Sequence, residues 1–312
     1  MNRLQTHIQA YLEYCQRHKR LDPKTLKAYQ IDLTQFAAKI HISDLMDITS
    51  IALEEFIADL HQEYKPKTVR RKLASLKAFF HYLEYREIID RNPFSRIQIR
   101  FREPVILPKT IPLHTVEIFL SVIYSQHRNA QTDYQKKKTL QDAAVIELLF
   151  ATGMRISELC SLKMHDINLD EKSVLIYGKG AKERKIQIGN DSVLCILKRY
   201  KTAFLPEMQA CNHFFVKQSG VALSDQSVRR MINKYTALAS IEMHITPHMF
   251  RHTFATCLLE ADVDIRYIQE MLGHSSINVT EIYTHVTMSK QKDILSRKHP
   301  RSSNRSNPQW ES

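Results

Sequence analysis

From His7 to about Ile89 the apolar residues recur at helical spacing in four blocks: Ile8, Tyr11, Leu12 and Cys15; Leu26, Tyr29, Leu33 and Phe36; Ile51, Phe56, Ile57 and Leu60; Val69, Leu73, Leu76, Phe80 and Leu83. Stripes of this kind are buried by packing amphipathic helices on one another, so the spacing predicts four helices. Proline marks two of the starts, at Asp22-Pro23 and at Lys65-Pro66-Lys67-Thr68, where a missing N–H costs nothing. The pattern breaks at Arg91-Asn92-Pro93-Phe94, and Glu103-Pro104, Leu107-Pro108 and Ile111-Pro112 keep the following stretch extended. The reading is a helical domain over residues 1–95, a basic linker over 96–111 and a second domain over 112–298. A tail at 299–312, rich in Ser, Asn, Arg and Pro, is expected to be disordered. At 312 residues, two domains can each bury a core.

The second domain opens with a predicted helix near His114 to Tyr124. The polar stretch Ser125 to Thr139, with Lys136-Lys137-Lys138, reads either as a surface loop or as a helix extension. A buried helix from Asp142 to Thr152 should stop at Gly153. Alternating segments at Asp166–Leu169, Ser173–Tyr177 and Arg184–Ile188 predict three short antiparallel strands, the last two joined by a turn with glycine on either side of Lys179. Helical spacing returns through Leu194, Leu197 and Tyr200, then Val228, Ile232 and Tyr235. The fold class is mainly α with a small antiparallel β-sheet.

Lys plus Arg number 45 against 33 Asp plus Glu, a net charge of +12, which favours a polyanionic partner. Lys67, Arg70, Arg71, Lys72 and Lys77 crowd the fourth predicted helix, and Arg96, Arg100, Arg102 and Lys109 punctuate the linker. Such clusters are either solvated faces or surfaces for phosphate. Five scattered cysteines without a C-x-x-C pair argue against a disulfide framework or structural zinc and suit a reducing cytoplasm. No secretory pattern opens the chain, and no apolar run approaches the ~18 residues of a membrane span, so a soluble cytoplasmic protein is expected. Gly178-Lys179-Gly180 is not a P-loop, and no acidic cluster suits a metal, so neither cofactor nor metal is expected.

Between Pro247 and His285 the chain reads PHMFRHTFATCLLEADVDIRYIQEMLGHSSINVTEIYTH, with His248, Arg251, His274 and Tyr283 in one stretch. The tyrosine is its only obvious nucleophile. Two donors and a cation around one phenol suit attack on a group that is already anionic, since N–H donors and positive charge stabilise the charge that grows on a phosphate. A phosphodiester is the substrate this chemistry fits.

These residues, with L-G-H-x(8)-Y at their end, resemble the C-terminal signature of the tyrosine recombinases, the phage-integrase and Xer-type site-specific DNA recombinases. ATGMRISELCSL, residues 151–162, is similar to the family's first active-site block and aligns Arg155 with its first arginine. SVLIYGKGAKERKIQIG aligns Lys179 with its mobile lysine. The resemblance implies a SAM-like core-binding domain of four helices followed by a catalytic domain. It implies Tyr283 as nucleophile, giving a covalent 3′-phosphotyrosine, and Arg155 and Arg251 as a phosphate clamp. Lys179 would be general acid to the leaving 5′-oxygen, His248 would position or deprotonate Tyr283, and His274 would donate to a non-bridging oxygen. Glu158 corresponds to an acidic residue that orients the first arginine; equally it fits the first-turn acid of a helix capped by Ser157. In such a family Lys67, Arg70, Arg71, Lys72, Lys77, Arg100 and Arg102 become DNA-facing candidates. Two DNA sites and a homo-tetramer are implied, with four transesterifications through a Holliday junction and no ATP. A type IB topoisomerase and a catalytically inactive DNA binder on the same scaffold are the rival readings.

Overall fold

In the computed structural model the described residues are 3–40, 45–98, 108–178 and 183–273, and the chain divides into two units, Met1–Val105 and Ile106–Ser312. In the first, α1 (Arg3–Arg17), α2 (Pro23–Lys39), α3 (Ser50–Glu63) and α4 (Pro66–Tyr85) bring their apolar stripes together. Pro23 and Pro66 open α2 and α4 as expected, and side chains cap α2 and α3. Asp22 accepts from the Lys24 amide at 2.8 Å ahead of Pro23, and Thr49 accepts from the Ala52 amide at 3.2 Å. Tyr11, Phe36, Phe79 and Phe80 are fully buried at the centre. Ile51 departs from its predicted inward position. It is 69% exposed, and Leu53 takes the place, because a helix starting at Ser50 buries Leu53, Phe56, Ile57 and Leu60 on one stripe.

Past α4, Asn92 caps a 3₁₀ turn, Pro93–Arg96, by accepting from the Phe94 amide at 3.0 Å. Phe94 packs edge-on against Phe80, with ring centroids 5.6 Å apart. Ile97 is buried in the same core, so packing continues through the first residues of the basic stretch.

In the second unit α5 (Leu113–Arg128) and α6 (Asp133–Thr152) are followed by α7 (Ile156–Ser161), β1 (Ile167–Asn168), β2 (Ser173–Tyr177), β3 (Glu183–Gln187), α8 (Asp191–Cys211), α9 (Asp225–Leu238), α10 (Pro247–Glu260) and α11 (Ile265–Leu272). Among the described residues the strands form one antiparallel sheet in the order β1-β2-β3, with Ile167 opposite Val174 and Val174 opposite Ile186. α6 is the central helix, packed against α5, α8 and α10. Its second half buries Ala143, Ala144, Val145, Ile146, Leu148 and Leu149, apolar on every side as a core helix must be. That helix starts nine residues before the predicted Asp142. Thr132 and Gln135 form a reciprocal capping box, and Lys137 and Lys138 pair with Glu207 and Asp142 at 2.8 and 2.6 Å. Most of the stretch Ser125 to Thr139 is therefore helix, with a break only between α5 and α6. β3 begins one residue before the predicted Arg184, and β1 is the inner half of the predicted Asp166–Leu169.

Candidate active site

The site begins where α6 stops. Gly153 takes the left-handed conformation, φ +59°, and its amide caps Leu149 at 3.0 Å. A Cβ at Gly153 would lie 2.5 Å from Phe254 Cδ1, so the turn needs glycine both for its backbone and for its packing. Gly153→Ala is expected to lose roughly 2–5 kcal/mol of stability, from left-handed strain plus overpacking; urea unfolding of the two proteins measures it.

Arg155, two residues on, is the N-cap of α7, and Glu158 lies in the first turn. Ser157 is a helical residue rather than the cap, because the Arg155 amide donates to Glu158 Oε2 at 2.8 Å and starts the helix there. The Arg155 guanidinium also donates to Glu158 Oε1, at 2.8 Å. Glu158 is thus both an acid of the first turn and a hydrogen-bond partner of Arg155. The Arg155 side chain stays 36% exposed while that of Glu158 is buried.

Arg251 comes from α10, which Pro247 opens after Thr246. It is buried, and its Nη1 and Nη2 donate to the Gly153 carbonyl at 2.8 Å and the Leu272 carbonyl at 2.6 Å. The same side chain therefore ties the turn before Arg155 to the end of α11. His248, one turn before Arg251, is exposed. His252, next to Arg251, was not anticipated from the sequence. Burial pulls its imidazole down to about 4, with the charges of His248 and Arg251 acting in the same direction.

A further arginine completes the array. Arg184 on β3 holds Glu158 through Nη1 at 3.1 Å and Nη2 at 2.6 Å, and its Nε donates to the Met271 carbonyl at 2.8 Å. Burial would raise the Glu158 carboxyl, but Arg184 together with the amide and guanidinium of Arg155 outweighs it and holds the pKa below the usual glutamate value. The sequence did carry a signal for Arg184. It shares strand parity with Ile186 and Ile188, both buried, so its side chain starts from the inner face and needs a partner there. Lys179, His274 and Tyr283 lie outside the described residues.

In the first unit the cationic residues of α4 separate into two groups. Lys67, Arg70, Arg71 and Lys77 are exposed. Lys72 is not: it is buried, with Nζ 3.4 Å from Asp32 Oδ1, hydrogen-bonded to Gln35 and 4.7 Å from the Tyr64 ring centroid. Arg71 also pairs with Asp32, to which Ser75 donates at 2.8 Å. A buried carboxylate needs such donors, so Lys72 leaves the exposed face to join α4 to α2. Arg100 and Arg102 lie outside the described residues. Among the described residues no group of His, Cys, Asp and Glu is arranged to hold a metal ion, and no helix is long and apolar enough to cross a membrane.

Comparison with known proteins places these features in a family. The phage integrase family matches residues 124–290, and the phage integrase N-terminal SAM-like domain matches residues 8–87. The chain is 69% identical over 301 residues to a tyrosine recombinase of Agathobacter rectalis, covering 96% of this chain and 98% of the relative. It is 35% identical over 303 residues to the tyrosine recombinase XerD of Listeria monocytogenes, covering 94% and 98%. In fold it is similar to the XerH site-specific recombinase bound to a palindromic difH substrate in a post-cleavage complex, with a TM-score of 0.74 at 23% identity over 91% of this chain and 82% of that one. A lambda integrase dimer bound to a core site gives a TM-score of 0.69 at 17% identity, over 90% and 76% of the two chains.

Proposed function

Because the chain belongs to the phage integrase family of tyrosine recombinases, we propose that it cuts and rejoins DNA at specific sites through a covalent 3′-phosphotyrosine on Tyr283. The observation that carries this reading is the array around Gly153: the buried Arg251 and the Glu158-braced Arg155, joined through the turn between α6 and α7. Two always-charged planar donors held in fixed positions suit the non-bridging oxygens of a phosphodiester, whose charge rises on attack. In this reading Lys179 protonates the departing 5′-oxygen, His248 acts on the tyrosine proton, and His274 donates to the phosphate. The phosphotyrosine retains the energy of the broken bond, so religation needs no ATP.

Each tyrosine cuts one strand, so exchange between two duplexes takes four protomers and passes through a Holliday junction. Residues 1–95 would clamp the duplex with Lys67, Arg70, Arg71 and Lys77, the linker 96–111 would run along phosphates through Arg100 and Arg102, and residues 112–298 would cut. The scattered cysteines suit work on DNA in a reducing cytoplasm.

The experiment starts from duplexes selected out of a random pool by binding the full-length protein, which are then nicked so that the strand beyond the cleavage point diffuses away. The wild type is expected to be trapped as a covalent adduct on denaturing gels, in excess EDTA and without ATP. Adduct that forms only with added Mg²⁺, or none at all, would overturn the reading. Relaxation of supercoils without strand exchange between two sites would give the chain to the topoisomerase reading instead.

A further inference from the structure

The phosphate chemistry above does not use Arg184, which lies five residues after Lys179. Its side chain is only 8% exposed, and its nitrogens reach two segments at once. Nη1 and Nη2 grip both oxygens of Glu158, at 3.1 and 2.6 Å, the carboxylate that holds Arg155 from the other side. Nε donates to Met271 at 2.8 Å, and the adjoining Leu272 carbonyl is the one that Arg251 holds. Gly273, at φ +65°, closes against the same guanidinium: a Cβ there would lie 3.0 Å from Nη1.

We propose that Arg184 is a positioning residue of the catalytic centre. It sets Arg155 through Glu158, and the chain entering His274 through the end of α11, in one register with the strand that follows Lys179. The inference rests on the roles given to Arg155, Lys179 and His274 under the proposed function. Its physical basis is geometric rather than energetic. Desolvation offsets much of what a buried ion pair gains, so the pair is a weak source of stability. A guanidinium bidentate on a carboxylate, with a third N–H on a carbonyl, fixes the plane and the approach of both partners. Lysine can offer only a point charge and serves one of them.

The test uses full-length wild type, Arg184→Ala, Arg184→Lys, Glu158→Gln, the Arg184→Ala/Glu158→Gln double variant and a Tyr283→Phe control. For each, affinity for the selected duplex is measured by gel shift, the adduct rate on the nicked substrate at saturating protein, and the melting temperature. Affinity should stay within about threefold of wild type, while the adduct rate of Arg184→Ala falls about 10²-fold, the scale of a 1 Å misplacement. Arg184→Lys should recover part of that rate. The double variant should be no slower than the slower single one, since both act along one path. A folded Arg184 variant that cleaves at the wild-type rate, or one whose affinity and rate fall together, overturns the inference; if Arg184→Ala does not fold, Arg184→Lys alone is judged by the same criteria. Wild-type protein forming no more adduct than the Tyr283→Phe control overturns both this inference and the proposed function. An active wild type with unaffected Arg184 variants overturns this inference alone.

Discussion

Tyr283→Phe is expected to lower covalent adduct on the nicked substrate by about three decades or more, because the substitution removes the oxygen that the proposed reaction uses as its nucleophile. Affinity for the same duplex should stay within about twofold, since the aromatic ring is retained. The phenol needs help to react at neutral pH, as its ordinary pKa is near 10, which is why the assignment includes neighbouring cations and a base rather than the tyrosine alone. Denaturing gels of the two proteins at equal occupancy measure the effect. Undiminished adduct from the phenylalanine variant would move the nucleophile to another residue.

Arg251 should give the second large effect, in stability and chemistry together. Arg251→Ala takes the donor from two carbonyls, Gly153 and Leu272. Each buried acceptor left unsatisfied costs about 1–3 kcal/mol, so the loss is a large fraction of the roughly 5–15 kcal/mol that holds a domain together. Arg251→Lys is the sharper probe. A single ammonium at the end of a flexible stem cannot reproduce the two directed bonds of the planar fork, so the variant should fold with a lowered melting temperature. Its adduct rate should fall about 10²–10³-fold, the usual consequence of losing one directed donor to transition-state charge. Urea unfolding and single-turnover cleavage separate the two contributions. A lysine variant that keeps the wild-type rate would remove Arg251 from the clamp and leave it a purely structural role.

Gly153 and Arg251 show how closely fold and site depend on each other. The glycine is demanded by a left-handed turn and by Phe254 across it, and its carbonyl is one of the two that orient Arg251. A lesion at the turn therefore reaches Arg251 through a hydrogen bond.

Local signals made much of the architecture legible. α2 and α4 begin at the prolines that marked them, because the physics of a helix start is contained in three or four consecutive residues. The sheet was legible because alternation has a period of two, and β2 matches the predicted Ser173–Tyr177. Arg155, Arg251 and Glu158 were singled out by their motif, and the fold brings them together around one turn.

Charged side chains were less legible, because the same residue type serves solvent, DNA or a buried partner. Lys72 belongs by sequence with Lys67, Arg70, Arg71 and Lys77, yet it is buried with Asp32, forty residues earlier in the chain. The first half of α6 shows no apolar stripe, and its helicity depends on a capping box together with Glu207, seventy residues away. Arg184 shares strand parity with Ile186 and Ile188, but its partners Glu158 and Met271 come from distant segments that only the fold brings to β3. By itself the sequence determined most of the helices and the strands, since these follow from short-range periodicity, proline and residue type, and its motifs singled out the candidate site residues through their family resemblance. Only the tertiary structure decided which cations are buried and which carbonyls they hold, because a charge's role depends on the partners and the dielectric that distant segments bring to it.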